Sequence, residues 1–308
     1  VAPFSQGYKM KRLHVTVIVV FFILASCAIP EPPKQAALVY GISIYGNSNN
    51  APNLVVADDD AIAVRNLLNS QGFIVTTKIN DAATKSAMLQ DIKNLKGFQG
   101  QVIFYYSGHG FLDSNNTAYI CPKDIWNDTD QNYEFSNLIS ASELFNTFQQ
   151  ADLKNVIVLL DSCFSGGFVN EGGTIDAVPP IFGPNEQPEG SIKYSFLLQA
   201  LDPAYSAYCN YASYGLIIVI SSGGSQEPVY ESGGHGIFTY YFLQTPQYGD
   251  IDRDGVISTT EIYYYTAESI QRTWNKYYQD YYDIYTEQYA DFHPHITGSP
   301  REYILFKR

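Results

Sequence analysis

Two apolar runs of strand length constrain this chain more than any other feature. "VIFYYSGHG" spans residues 102–110 and "VIVLLDSCFSGG" spans 156–167. Neither run alternates polar with apolar residues, so neither suits a strand with one wet face. Such runs belong in a parallel sheet covered by helices on both sides. The surrounding sequence supplies the rest of that architecture. "AALVYGISIY" (36–45) and "FIVTTKI" (73–79) read as further strands, while "DDDAIAVRNLLNSQG" (58–72) and "TKSAMLQDIKNL" (84–95) have helical spacing. Three acids open the first of these helices, where the helix dipole favours them. "SASELFNTFQQ" (140–150) begins with a capping box of Ser140 and Glu143. Later, "YGLIIVISS" (214–222) resumes the sheet, "GIFTYYFLQ" (236–244) reads as a short helix and "TTEIYYYTAESIQRTW" (259–274) as a longer one. "EYILF" (302–306) is the final expected strand. This order predicts an α/β domain with no internal repeat and no second domain.

Two segments stand outside that pattern. Residues 166–212, rich in Gly, Pro, Asn and Tyr, read as a long insertion separating halves at 36–165 and 213–308. At the other extreme, Met10 is followed by Lys11, Arg12 and the apolar run "VTVIVVFFILASC", which fits a secretory signal. The run is short for a membrane span, and Pro30, Pro32 and Pro33 follow it. Residues 1–9 precede the methionine that opens this signal and read as upstream sequence. "LASC" resembles the lipobox of bacterial lipoproteins, which implies lipidation of Cys27 and attachment to a bacterial envelope membrane. Removing residues 1–26 takes three of 18 basic residues and no acid; against 31 acids this leaves a formal charge of −16. Such a surface repels nucleic acid and draws cationic substrates or divalent ions.

Chemistry concentrates where the two apolar runs end. One delivers His109 between two glycines, expected to be exposed on permissive backbone, and the other delivers Cys163. If these strands are neighbours, imidazole and thiol converge at one sheet edge. The imidazole then accepts the thiol proton, and the backbone N–H groups of Gly110 and Cys163 are placed for an oxyanion. The second GHG, around His235, follows no apolar strand; Gly233 and Gly234 read as a turn before a helix cap, and no chemistry is assigned to this histidine. Besides Cys27 and Cys163, Cys121 and Cys209 either pair or stay as buried thiols.

With these residues in view, the chain resembles the caspase superfamily, specifically the bacterial metacaspase-like C14 peptidases. "FYYSGHG" and "LLDSCFSGG" carry the likeness, joined by "DDDA" at the first helix and "ISSGGSQEPVYESGGHGIFTYYFL" at 220–243. The separation of 54 residues between His109 and Cys163 matches the roughly 50 expected of caspases. Phe164 departs from the histidine many metacaspases carry after the nucleophile. The resemblance implies a three-layer caspase-like fold with a six-stranded sheet, and a cysteine endopeptidase acting on protein or peptide substrates. It further implies that Asp60 and Asp161 form a pocket for Arg or Lys. No Arg occurs between Arg65 and Arg253, which leaves little to build an arginine-lined pocket for Asp. Self-processing in the insertion would then follow Lys193, the only Lys or Arg between Lys154 and Arg253. An inactive binding module and a peptidase of other specificity are the rival readings.

A last pattern is "DIDRDGVISTTE". Asp250, Asp252, Asp254, Gly255, Val256, Ser258 and Glu261 occupy positions 1, 3, 5, 6, 7, 9 and 12 of an EF-hand loop, which predicts calcium binding. Pro246 is expected to interrupt the entering helix, making the loop one-sided. Many metacaspases need calcium, but the family's activating site lies elsewhere. The tyrosine-rich segment at 263–289 reads as an amphipathic helix with packing aromatics, a protein- or glycan-binding face being the alternative, and His293 and His295 receive no role.

Overall fold

Alternate side chains of the first apolar run enter two different cores. The computed structural model describes residues 35–46, 53–113, 118–127, 129, 132–162, 216–223, 229–283, 288–298 and 303–308. Within them the main elements are β1 (Gln35–Gly41), α1 (Ala57–Ser70), β2 (Ile74–Ile79), α2 (Lys85–Asn94), β3 (Gln101–Ser107) and α3 (Ala141–Gln150). They continue with β4 (Asn155–Asp161), β5 (Leu216–Ser221), α4 (Ile237–Phe242), α5 (Thr259–Ile270) and β6 (His295–Gly298). One sheet takes the order β6-β5-β4-β3-β1-β2. Five strands run parallel, and β6 is antiparallel to β5.

The two-residue period of a strand sorts its side chains between the sheet's faces. Val102, Phe104 and Tyr106 of β3 join Val156, Val158 and Leu160 of β4 in a core closed by α2 and α3. Ile103 and Tyr105, with Ile157 and Leu159, pack on the other face with α1, α4 and α5. Because both faces are covered, no polar alternation is possible. Each such side chain taken fully out of water contributes about 1.5–3 kcal/mol, so the two central strands anchor the domain. The result is the three-layer α/β arrangement expected from the sequence.

Two expectations change. The sixth strand is His295–Gly298, not the "EYILF" run. Ile304–Lys307 instead pairs with Val256–Ser258 in a separate two-stranded ribbon, burying Leu305 and Phe306 while Ile304 and Lys307 face out. "HITG" has no apolar run to announce it, since an edge strand needs only one neighbour. Likewise, Pro246 does not break a helix but sits in the first turn of a short one, Thr245–Tyr248, where its missing N–H costs nothing. The long helix after Ser258 ends at Ile270 and passes into a wider turn over Gln271–Asn275. There Trp274 stacks on Tyr230 at 5.2 Å and its indole N–H donates to the Ala290 carbonyl at 2.6 Å, so this part of the tyrosine-rich segment packs as expected. Cys27, Cys163, the 166–212 insertion with Lys193, and Cys209 lie outside the described residues. Cys121 is buried, and its carbonyl accepts from Tyr45.

The end of β1 meets the start of α1 closely. A Cβ on Gly41 would stand 2.3 Å from the Ala57 carbonyl oxygen and 2.5 Å from the Ala61 Cβ. Gly41→Ala is expected to cost about 1–3 kcal/mol through overpacking. Urea unfolding should show a lower midpoint with an unchanged slope; a midpoint equal to the parent's would contradict this packing.

Candidate active site

The register of β3 against β4 decides what meets at the sheet's carboxyl edge. Their last rung pairs Ser107 with Asp161. His109 lies two residues beyond Ser107, and Cys163 two residues beyond Asp161 in the sequence. The condition set by the sequence, that these strands be neighbours, is met. Ligands of open parallel sheets bind at this edge.

His109 is held through its backbone. Its N–H donates to the Tyr45 hydroxyl at 2.9 Å, its carbonyl accepts from the Cys121 N–H at 3.1 Å, and the Tyr106 hydroxyl lies 2.8 Å from that same carbonyl. The Tyr45 ring lies 4.6 Å from the imidazole. Contrary to the expectation of an exposed residue, His109 is 1% exposed. Gly108 explains why glycine stands before it: a Cβ there would approach the Tyr106 and Tyr45 hydroxyls to 2.6 and 2.7 Å. Glycine is needed for close approach, not for a left-handed turn. Gly110 opens a short strand, Gly110–Leu112, and faces Ile120.

Beside this edge two carboxylates are buried together. Asp60, from the first turn of α1, is 1% exposed and Asp161 is 5% exposed. Asp60 accepts from Ser107 Oγ at 3.1 Å and from the Gly236 N–H, while its Oδ1 meets His235 Nδ1 at 2.7 Å. Asp161 Oδ2 accepts from the Thr239 N–H at 3.0 Å and from Thr239 Oγ1 at 2.6 Å. Tyr105 completes this chain, since its hydroxyl lies 2.6 Å from Thr239 Oγ1. Gly236 stands between the acids: a Cβ on it would come within 2.4 Å of Asp161 Oδ2 and 3.1 Å of Asp60 Oδ2. Burial pushes Asp60 up to about 6, against the pull of His235 and the Gly236 N–H. Burial, reinforced by the charge of Asp60, pushes Asp161 up to about 7, against the Thr239 donors. The hydrogen bond to Asp60 raises His235 in turn.

The neighbouring acids have other duties. Asp58 accepts from Ser43 Oγ at 2.5 Å and from the Asn80 side chain at 2.9 Å. Burial alone would raise its pKa, but these hydrogen bonds outweigh it and hold the group below its ordinary value. Glu231 accepts the N–H groups of Val55 and Val56 at 3.1 and 3.2 Å, closing the start of α1 where no side-chain cap exists. Only Asp60 of the DDD triplet turns toward β3.

The caspase domain family matches residues 34–281 of the sequence. The chain belongs to this family. Its members are caspase-like cysteine peptidases. Insect caspase-1 from Spodoptera frugiperda has a similar fold, with a TM-score of 0.56 at 11% identity over 89% of this chain and 90% of that one. A protein from Geobacter sulfurreducens is similar at a TM-score of 0.52 and 18% identity, covering 87% of this chain and 95% of that chain. No curated protein matches.

Within the caspase domain, the second GHG proves more than a spacer. Gly233 and Gly234 both have positive φ and turn the hairpin Glu231–Ser232/His235–Gly236, and Gly236 caps α4. That much agrees with the turn read from the sequence. The contact of His235 with Asp60, 175 positions earlier, had no local sequence signal; neither did those of Thr239 and Tyr45. In the acidic loop, single carboxylate oxygens of Asp250, Asp252 and Asp254 lie within 4.8 Å of one another. Ser258 and Glu261 are engaged with each other. They form a capping box at the start of α5, and Glu261 also accepts the Ile251 N–H at 2.9 Å.

Asp60, Asp161 and His235 all hold protons more tightly in the folded chain than when unfolded. A raised folded pKa contributes stability that is present at low pH and lost as pH rises through the folded value. For Asp161 that window runs from 3.8 to about 7. The urea midpoint of Asp161→Asn should therefore gain on the parent's as pH rises from about 4 to 7. A constant difference across that window would contradict the buried acid.

Proposed function

We propose that this protein is a cysteine endopeptidase that cuts peptide bonds after Arg or Lys, with His109 as general base and Cys163 as nucleophile. The rung joining Ser107 to Asp161 supports the reading, because His109 and Cys163 each follow one of its residues by two positions in the sequence. In the reaction, His109 accepts the proton of Cys163 and the thiolate attacks the scissile carbonyl. The backbone N–H groups of Gly110 and Cys163 stabilise the oxyanion. The imidazolium then protonates the leaving amine as the C–N bond breaks. Water, deprotonated by His109, cleaves the thioester to a carboxylic acid and restores the thiol.

Specificity for a basic residue follows from charge. Two buried carboxylates crowd one site, and among the described residues the basic side chain paired with Asp60 is His235, while Asp161 has hydroxyl and amide donors instead. Their mutual repulsion is relieved by a guanidinium or ammonium brought in by substrate. His235 occupies Asp60 until that cation replaces it. The formal charge of −13 at pH 7 also favours cationic chains over nucleic acid. We further propose an exported lipoprotein attached to the bacterial envelope membrane through Cys27, with self-processing after Lys193.

Fluorogenic peptides ending in Arg, Lys or Asp, offered with and without calcium, test this. The Arg and Lys peptides should be turned over and the Asp peptide should not. Cys163→Ala and His109→Ala should each lose activity by roughly 10³-fold or more. Asp161→Asn should lower kcat/KM for the Arg peptide about 10–100-fold, the worth of one charged hydrogen bond. Turnover of the Asp peptide alone would overturn the acidic pocket, and turnover of none would favour a binding module.

A further inference from the structure

We infer that the loop at 250–254 is a calcium site of its own, which fastens the strand Ile304–Lys307 to the start of α5. One carboxylate oxygen of Asp250 is buried without a hydrogen bond. The Asp250 side chain is 3% exposed, yet among the described residues its buried Oδ1 has no hydrogen-bond partner, while Oδ2 meets the Arg308 guanidinium at 3.6 Å. A carboxylate oxygen removed from water and left without a hydrogen bond is costly, and a bound cation offsets that cost. One carboxylate oxygen from each of Asp250, Asp252 and Asp254 lies within 4.8 Å of the other two. Oxygens this near one another can share one ion, and a loop that supplies a few carboxylates suits the flexible ligation of calcium better than the near-ideal octahedron that magnesium demands. All the donors are hard oxygens, which argues against zinc.

The surrounding backbone is already shaped for such an ion. Arg253 and Gly255 have φ of 65° and 86°, the Asp254 N–H donates to Asp252 Oδ1 and the Val256 N–H donates to Asp254 Oδ1. Glu261 joins the two ends of the loop by accepting the N–H groups of Ile251 and Ser258 at 2.9 Å each. Ser258 and Glu261 are therefore positioning residues, not ligands. The three aspartates hold the ion, the position of the Val256 carbonyl offers a fourth donor, and water fills the rest. Sparse protein ligation of this kind gives an affinity on the order of 10⁻⁴ M. The ion's effect is on the fold: the Arg308 N–H donates to the Gly255 carbonyl, and Val256–Ser258 pairs with Ile304–Lys307 beside the α5 cap.

This inference is independent of the peptidase reading, so its test uses the full chain carrying Cys163→Ala and reads melting temperature. In chelator, added calcium chloride should raise Tm saturably, by roughly 5 °C or more at a hundredfold excess over Kd. Magnesium chloride at the same concentrations should do far less. Asp252→Asn with Asp254→Asn, both exposed positions, should melt in chelator near the parent's temperature and lose the calcium response. Should that pair disturb folding, Asp252→Asn alone should weaken calcium binding at least tenfold by calorimetry. The site is overturned by the absence of any calcium shift in the parent, or by a shift or affinity unchanged in the variants.

Discussion

The parallel pairing of β3 with β4 is the constraint on which the rest of the site depends. Both strands are buried on both faces, so sliding one against the other by a single residue would send Phe104 and Tyr106 to the wrong core. Packing on the two faces therefore fixes the register, and the register in turn fixes which residues reach the sheet's edge. The Gly108 N–H extends the pairing by donating to the Asp161 carbonyl at 3.2 Å. Tyr45 and Tyr106 then hold the backbone of His109 from the far side. Chemistry at this edge is thus positioned by apolar layers that take no part in it.

Asp60 and Asp161 show the same economy in electrostatics. Two acids this deeply buried weaken the fold unless something neutral or cationic answers them. Protons do so at low pH, and His235 and the Thr239 donors do so in part near neutrality. What remains is an attraction for a cation at the edge where His109 stands. Other acids near it are committed elsewhere: Asp58 to Ser43 and Asn80, whose φ of 46° is left-handed, and Glu231 to the start of α1. Burial and partners, not the mere count of acids, distinguish the two at the site.

The layers and the edge were legible in the sequence because unbroken apolar runs admit few solutions. The burial of the two motif strands on both faces, the helix opening at the DDD triplet, the Ser140 cap and the glycine turn before α4 all follow from local pattern, whereas the pairing of those two strands stands in the sequence only as a condition. What was not legible depends on contacts between distant segments. Nothing near His235 indicates that it turns toward Asp60, and nothing near Tyr45 indicates that it supports the His109 backbone. The burial of His109 was missed for the same reason: flanking glycines describe freedom of the chain, not what packs over it. The strand His295–Gly298 escaped notice because an edge strand needs no apolar run. The EF-hand spacing names three aspartates whose oxygens do lie together, and its Ser and Glu spacing also writes the capping box that Ser258 and Glu261 form.

The most direct test of the central claim is the pH dependence of alkylation at Cys163 in the parent and in His109→Ala. An isolated thiol ionises near 8.5, and an imidazolium within reach lowers that value. The account predicts that iodoacetamide modifies Cys163 of the parent with an apparent pKa below about 7, returning toward about 8.5 in His109→Ala. Superimposable profiles for the two proteins would contradict it.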